Sequence, residues 1–261
     1  MYYFCPMLSK QRIKLIHSLA HKKYRTAESL FVVEGTKLVG ELLQEHAPFR
    51  PHYVATTNPA FQAAHPTHCI DLITKEELHK ASFLQHPQES IALFHLPTTT
   101  IPPTALSQLP ANDLCLALDG IQDPGNLGTI IRTCDWYGIR HIFCSPDCAD
   151  VYAPKAVQAT MGSLARVQLH YGALETLLTQ AHQYPVYGTF LEGTPLSQIT
   201  PKSHGLLIMG NEGKGISPTV SEFITQRIFV PPYPADRPAA ERPESLNVAI
   251  CTAILCATFR Q

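Results

Sequence analysis

The chain has 261 residues, 45% of them hydrophobic and 16% charged, with a formal net charge of -1. This composition excludes a disordered chain, which lacks apolar residues for a core, and a protein coated in positive charge that binds nucleic acid without discrimination. The length favours two units, and no apolar run reaches membrane-spanning or signal-peptide length, so the expectation is a cytoplasmic protein without a membrane partner.

Charge is uneven at the start. Residues 1–27 contain no Asp or Glu, while Lys10, Arg12, Lys14, Lys22, Lys23 and Arg25 are cationic. Such a stretch either meets phosphates or forms a solvated helix face, and charge alone leaves both open. Further on, residues 31–33, 52–55, 68–70 and 91–96 read as short strands. Between them, Leu38, Val39, Leu42 and Leu43 mark the stripe of an amphipathic helix over 36–45, and Thr74 with Glu77 has capping-box spacing. These elements predict a small α/β domain over residues 1–96. Pro97, Pro102, Pro103 and Pro110, set among Thr and Ser, then predict a semi-rigid linker over 97–112.

From residue 113 to 261, apolar runs at 114–118, 140–144, 166–169, 185–190, 205–209 and 227–230 alternate with helical patterns. That alternation predicts a mostly parallel sheet covered by helices. Ligands of such sheets bind beyond the carboxyl ends of the strands, and three segments there stand out. In the first, Asn126 and Arg132 lie six residues apart and share no helical stripe, so they approach one substrate only if Asn126 sits in the loop or helix cap. In the second, Met209-Gly210-Asn211-Glu212-Gly213 follows an apolar strand, and its glycines let backbone approach a ligand closely. Its spacing is neither that of a P-loop nor that of the dinucleotide fingerprint. In the third, Ser245 suits the N-cap of a last helix, whose Leu246, Ile250, Ala253, Ile254 and Ala257 form an apolar face expected to pack on the sheet.

The eight cysteines are scattered through apolar segments and read as reduced thiols. His141, Cys144 and Cys148 loosely match metal-ligand spacing but have no second paired half, so no metal is expected.

Taken in order, Asn126-x-Gly128-x-x-x-Arg132, Met209-Gly210-Asn211-Glu212-Gly213 and Ser245-Leu246-Asn247-Val248 resemble the three motifs of the SpoU (TrmH-type) family of RNA ribose methyltransferases, in the SPOUT class. The resemblance spans about residues 113–261 and takes in the segment from Pro154 to Ser163. Residues 8–44, with Lys22-Lys23-Tyr24-Arg25 and Phe31-Val32-Val33-Glu34-Gly35, are similar to the substrate-binding domain that often precedes this catalytic domain.

The resemblance implies a deep trefoil knot, S-adenosylmethionine as cofactor, a homodimer, and methylation of a ribose 2′-hydroxyl in rRNA or tRNA without a metal. It also implies cofactor contacts at Thr189, Gly210, Val230 and Leu246, a site shaped by Glu212, Ser245 and Asn247, and a catalytic Arg132 oriented by Asn126. Lys10, Arg12, Lys22, Lys23 and Arg25 become candidate RNA contacts. The rival reading is an RNA-binding protein of the same fold that has lost catalysis. One departure is the proline-rich segment 233–244, about twice the length expected of the family.

Overall fold

A computed structural model describes residues 8–97, 103–234 and 237–261. Cys5, the middle of the expected linker, and Ala235 and Asp236 of the proline-rich segment lie outside the described residues. The chain divides into two compact units, residues 1–99 with 150–165 and residues 100–149 with 166–261. The segment from Pro154 to Ser163, read from sequence with the C-terminal domain, thus packs with the first unit.

The first unit runs α1 (Lys10–Ser18), α2 (Lys22–Glu28), β1 (Leu30–Glu34), α3 (Thr36–Leu42), β2 (Pro51–Thr56), α4 (Pro59–Ala64), β3 (Asp71–Leu72), α5 (Lys75–Ala81) and β4 (Ser90–His95). Its sheet has the order β1-β4-β2-β3, with β4 antiparallel to both β1 and β2, and β3 parallel to β2. Alternation along β1 sorts the core: Leu30 and Val32 join Ile16, Leu19, Leu78 and Ile91, while Phe31 on the other face meets Phe49 and Phe94. The capping box of Thr74 and Glu77 is formed and starts α5. The third strand begins at Asp71 rather than at 68, because His68 closes a turn onto His65 and pairing with β2 starts at Ala55 opposite Asp71.

Strand β1 is an edge strand, yet all five of its residues are buried. The reason is α8 (Pro154–Thr160), which packs against it, and Tyr152, whose ring centroid lies 4.9 Å from that of Phe31. Covering the edge removes a row of open backbone groups. Arg25 secures the same segment: its guanidinium donates to Leu19 O at 2.7 Å, Ala20 O at 2.9 Å and the Asp150 carboxylate at 2.6 Å.

The second unit runs α6 (Pro103–Leu106), β5 (Leu114–Asp119), α7 (Pro124–Trp136), β6 (His141–Cys144), β7 (Gln168–Tyr171), α9 (Leu174–Gln180), β8 (Val186–Pro195), β9 (Gly205–Gly210), α10 (Pro218–Ser221), β10 (Gln226–Phe229) and α11 (Val248–Phe259). Its sheet has the order β10-β8-β9-β5-β6-β7, and every pairing is parallel. The central strands β5 and β9 are buried on both faces, which is why their sequences are unbroken apolar runs. After β5 the chain builds outward through β6 and β7, then crosses to the other side for β8, β9 and β10. The topology therefore reverses between β5 and β9, where open parallel sheets place their ligand crevice.

Two helix readings are corrected. Asn247, not Ser245, caps α11: its side chain accepts from the backbone N–H groups of Ala249 and Ile250, while Ser245 is exposed before the helix. The face of α11 packed inward is Val248, Ala249, Thr252, Leu255, Cys256 and Phe259, whereas Ile250 is 53% exposed and Leu246 49% exposed. The helix is apolar all round, so periodicity alone did not single out the buried side.

Candidate active site

The site lies at the carboxyl edge, where Asp119 at the end of β5 is paired in register with Gly210 at the end of β9. The loop after β9 folds back on itself. Asn211 and Gly215 exchange backbone hydrogen bonds of 3.0 and 2.8 Å, and Asn211 Oδ1 accepts from the N–H groups of Gly213 and Lys214. The loop is then tied to β5 twice, by Asn211 Nδ2 donating to Gly120 O at 2.7 Å and by Ser217 N donating to the buried Asp119 carboxylate at 2.7 Å.

Gly210 serves that closure. A Cβ there would lie 2.4 Å from the backbone of Gly215 and Ile216. The space beside Gly210 is filled by the loop's own backbone, so the close approach that its missing side chain permits is one to Gly215 and Ile216.

Asn126 links the three motif segments. Asp123 caps α7 by accepting from Asn126 N at 2.8 Å, with Pro124 in the first turn. Asn126 is therefore in the first helical turn, neither the cap nor a loop residue. Its Nδ2 donates to Glu212 Oε1 at 2.7 Å, and its Oδ1 accepts from Asn247 Nδ2 at 3.0 Å. The amide can only be oriented one way: the carboxylate requires a donor, and the Asn247 carbonyl oxygen is already committed to capping α11. Each hydrogen bond thus fixes the next.

Arg132 projects from α7 as an exposed side chain, with no hydrogen bond or ion pair to a described residue. The fold does not join it to Asn126, as the lack of a shared stripe foretold. Ser245 is likewise exposed and apart from the hydrogen-bonded chain. Thr189 on β8 donates through Oγ1 to Ile208 O at 3.3 Å, Val230 directly follows β10, and Leu246 directly precedes the cap of α11. Thr189 and Gly210 consequently stand on the neighbouring strands β8 and β9, and Val230 lies just past β10, which neighbours β8.

Of the N-terminal cations, Lys10, Lys22 and Lys23 are exposed. Arg12 is partly engaged, 3.7 Å from Asp71 and stacked over the Tyr53 ring at 3.9 Å. Arg25 must be withdrawn as an RNA contact: it is 3% exposed and its guanidinium is consumed within the fold. A cation in a basic run can be structural, and the acid that pairs with it lies 125 positions away.

Sequence reasoning did not single out Asp119, Ser145 or Asn211 as anchors of these loops. Ser145 Oγ accepts from Gly120 N at 2.8 Å and donates to Asp147 Oδ1 at 2.5 Å. Asn211 was at least within a motif, whereas a lone Asp at a strand end and a lone Ser carry no signal. The seven described cysteines are unpaired, and among the described residues no three His, Cys, Asp or Glu side chains converge as metal ligands. Among the described residues, no helix is long and apolar enough to cross a membrane.

The profile of the SpoU rRNA methylase family matches residues 113–257, and that of the MRM3-like substrate binding domain matches residues 10–92. The chain is 29% identical over 249 residues to the 23S rRNA (guanosine(2553)-2'-O)-methyltransferase RlmP of Bacillus subtilis, covering 94% of each. Among solved structures, it is similar to a Porphyromonas gingivalis protein assigned to the TrmH family of RNA methyltransferases, at TM-score 0.82 and 40% identity, covering 97% of this chain and 98% of that one. It also resembles an S-adenosylmethionine-bound rRNA methyltransferase of Sinorhizobium meliloti, at TM-score 0.81 and 25% identity, covering 97% and 95%.

Proposed function

Because the chain belongs to the SpoU rRNA methylase family, we propose that the hydrogen-bonded chain Glu212–Asn126–Asn247 frames the site at which it methylates a ribose 2′-hydroxyl of structured RNA, with Arg132 as the residue that stabilises the reacting oxygen. The observation that carries this reading is that one side chain, Asn126, joins all three motif segments at the crevice of the sheet. An rRNA is the favoured substrate, since the B. subtilis relative that spans nearly the whole chain acts on 23S rRNA.

The cofactor of this activity, S-adenosylmethionine, supplies an electrophilic methyl group on a sulfonium. The residues at the edge fit it: Thr189 and Gly210 present backbone on the adjacent strands β8 and β9, Val230 directly follows the neighbouring β10, and the 49% exposed Leu246 offers apolar surface. Glu212, held by Asn126 Nδ2, is an oriented carboxylate beside these loops. Arg132 is cationic at any physiological pH and is a poor base, so its role is to bind the ribose oxygen and offset charge that develops there. The proton of the hydroxyl leaves to an RNA phosphate or water within reach of that guanidinium.

RNA is gathered by Lys10, Lys22, Lys23 and part of Arg12 in the N-terminal domain, residues 1–96, and delivered across the 97–112 linker to the 113–261 domain. A second copy of the chain completes the assembly. The exposed Ile250 of α11, with Ala253, Ile254 and Ala257 half-buried and Leu246 exposed just before the helix, forms an apolar surface suited to a symmetric partner. The trefoil knot, the cytoplasmic location and the lack of a metal requirement belong to the same reading. Its test is mapping of 2′-O-methyl sites in total RNA with and without the gene, together with transfer of labelled methyl from S-adenosylmethionine by the pure protein. A single ribose site lost with the gene and methylated by the protein is expected; an unchanged map overturns the assignment.

A further inference from the structure

We propose that Trp136 is a further RNA-binding residue, whose indole stacks on an unpaired base flanking the ribose received by Arg132; its place in the reaction rests on the reading of Arg132 above. Trp136 ends α7 and is 85% exposed. The indole makes no hydrogen bond or ring contact with a described residue. Exposure alone assigns it nothing, since single apolar side chains are common on surfaces. Its position on the helix and the charge around it point to a ligand.

The exposed residues of α7 are Thr129, Arg132 and Trp136, while Leu127, Ile130, Ile131 and Cys134 turn inward. Spaced three and four apart, the exposed three form one stripe, and neighbours on such a stripe stand about 5–6 Å apart at Cβ. A single strand laid along it with one ribose against Arg132 therefore sets a flanking base over the indole. Recognition of RNA uses such unpaired bases, splayed onto aromatic side chains, and the stacking tolerates any sequence because every base has a π-face.

The charge around the indole suits a polyanion. Between Pro124 and Pro146 the sole acid is Asp135, against the cations Arg132 and Arg140. That acid is neutralised: Arg166 Nε lies 3.1 and 3.0 Å from its two oxygens, and Arg166 Nη2 lies 2.9 Å from Oδ2. The carbonyl end of α7, where a helix gathers negative charge, is met by Arg260, whose Nε donates to Tyr137 O at 3.2 Å. Arg132 and Arg140 are both exposed, so phosphates on either side of a stacked base meet cations and no bare carboxylate.

Trp136 is the sole tryptophan of the chain, so its emission reports on this spot alone. The intact chain is titrated at low salt with a single-stranded oligoadenylate and with an RNA duplex of equal length. The single strand should quench the emission, and the duplex, whose bases are already stacked, should not. With rRNA from cells lacking the gene as substrate, Trp136→Leu should raise KM by about fivefold or more and leave kcat nearly unchanged, the pattern of lost binding rather than lost chemistry. Trp136→Phe, which keeps a ring, should recover most of that loss. Emission that stays unquenched up to millimolar oligoadenylate, equal quenching by the duplex, or an unchanged KM in Trp136→Leu overturns the proposal. So does a dimeric parent whose Trp136→Leu variant sediments as a monomer, because the indole then belongs to the subunit contact. Quenching and a raised KM together with a wild-type rate in Arg132→Ala would overturn the role of Arg132 and leave the stacking site standing.

Discussion

Asn126 and Glu212 stand 86 positions apart in sequence and meet through a 2.7 Å amide-to-carboxylate hydrogen bond. Neither residue is fully buried, so the bond contributes only about 0.5–1.5 kcal/mol to stability. Its value lies in geometry: it orients a carboxylate at the crevice between β5 and β9.

Replacing Asn126 should therefore separate activity from stability. In Asn126→Asp the Glu212 carboxylate faces a like charge and Asn247 keeps an acceptor, whereas Asn126→Ala removes both partners. Both variants should remain folded within about 1 kcal/mol of the parent while single-turnover methyl transfer drops at least tenfold. Thermal unfolding and a rapid-quench assay on the same samples check this, and undiminished transfer by Asn126→Asp would remove the network from the chemistry.

Arg132 should matter only to the chemical step. With an exposed side chain and no described partner, Arg132→Ala costs little stability. Arg132→Ala and Arg132→Lys should retain cofactor binding and most RNA binding but lose transfer by roughly a hundredfold or more, the scale for one donor that stabilises developing charge. Single-turnover rates at saturating RNA decide, and a wild-type rate in either variant sinks the role.

Arg25 should behave oppositely to its basic neighbours. Arg25→Gln leaves the Asp150 carboxylate without its partner and frees Leu19 O and Ala20 O, so unfolding should become easier by about 3 kcal/mol or more. Lys22→Gln with Lys23→Gln removes exposed charge, with stability held within about 0.5 kcal/mol, while the salt dependence of RNA binding flattens. Denaturant titration and filter binding at several salt concentrations distinguish the two cases.

Gly210→Ala should disturb the loop before it disturbs any ligand. The added carbon meets backbone at 2.4 Å and has no flexible side chain to displace, so a stability loss of about 1–3 kcal/mol is expected. Calorimetric unfolding without added cofactor checks it: an unshifted transition would mean that the loop opens without cost.

Acid should weaken the outer edge of the parallel sheet. His141 Nδ1 and His170 Nε2 are 3.2 Å apart on β6 and β7, and burial first, then the neighbouring His141, brings His170 down to about 4. The folded state thus binds a proton less readily than the unfolded chain, whose histidine titrates near 6.5. The unfolded state takes up the extra proton between those values, so stability is full above about pH 6.5 and declines as pH falls towards 4, by at most roughly 3 kcal/mol. His170→Phe should flatten the pH dependence of the unfolding midpoint in that window.

The sequence by itself determined the α/β alternation, the parallel sheet and the edge at which the motifs gather, because strand period, apolar runs and glycine-rich turns are local properties. Even the capping box at Thr74 was legible, since its partners are three residues apart. What only the tertiary structure decided were relations between distant residues. Arg25 reads as one more cation until Asp150 is folded onto it, and residues 150–165 read as part of the C-terminal domain until Tyr152 packs on Phe31. The buried side of α11 was hidden because every face of that helix is apolar, and contact with α7 and β9, not pattern, selects which side turns inward. Likewise, glycine at 210 signals a close approach but not to what, and the chain's own backbone at Gly215 and Ile216 supplies the answer.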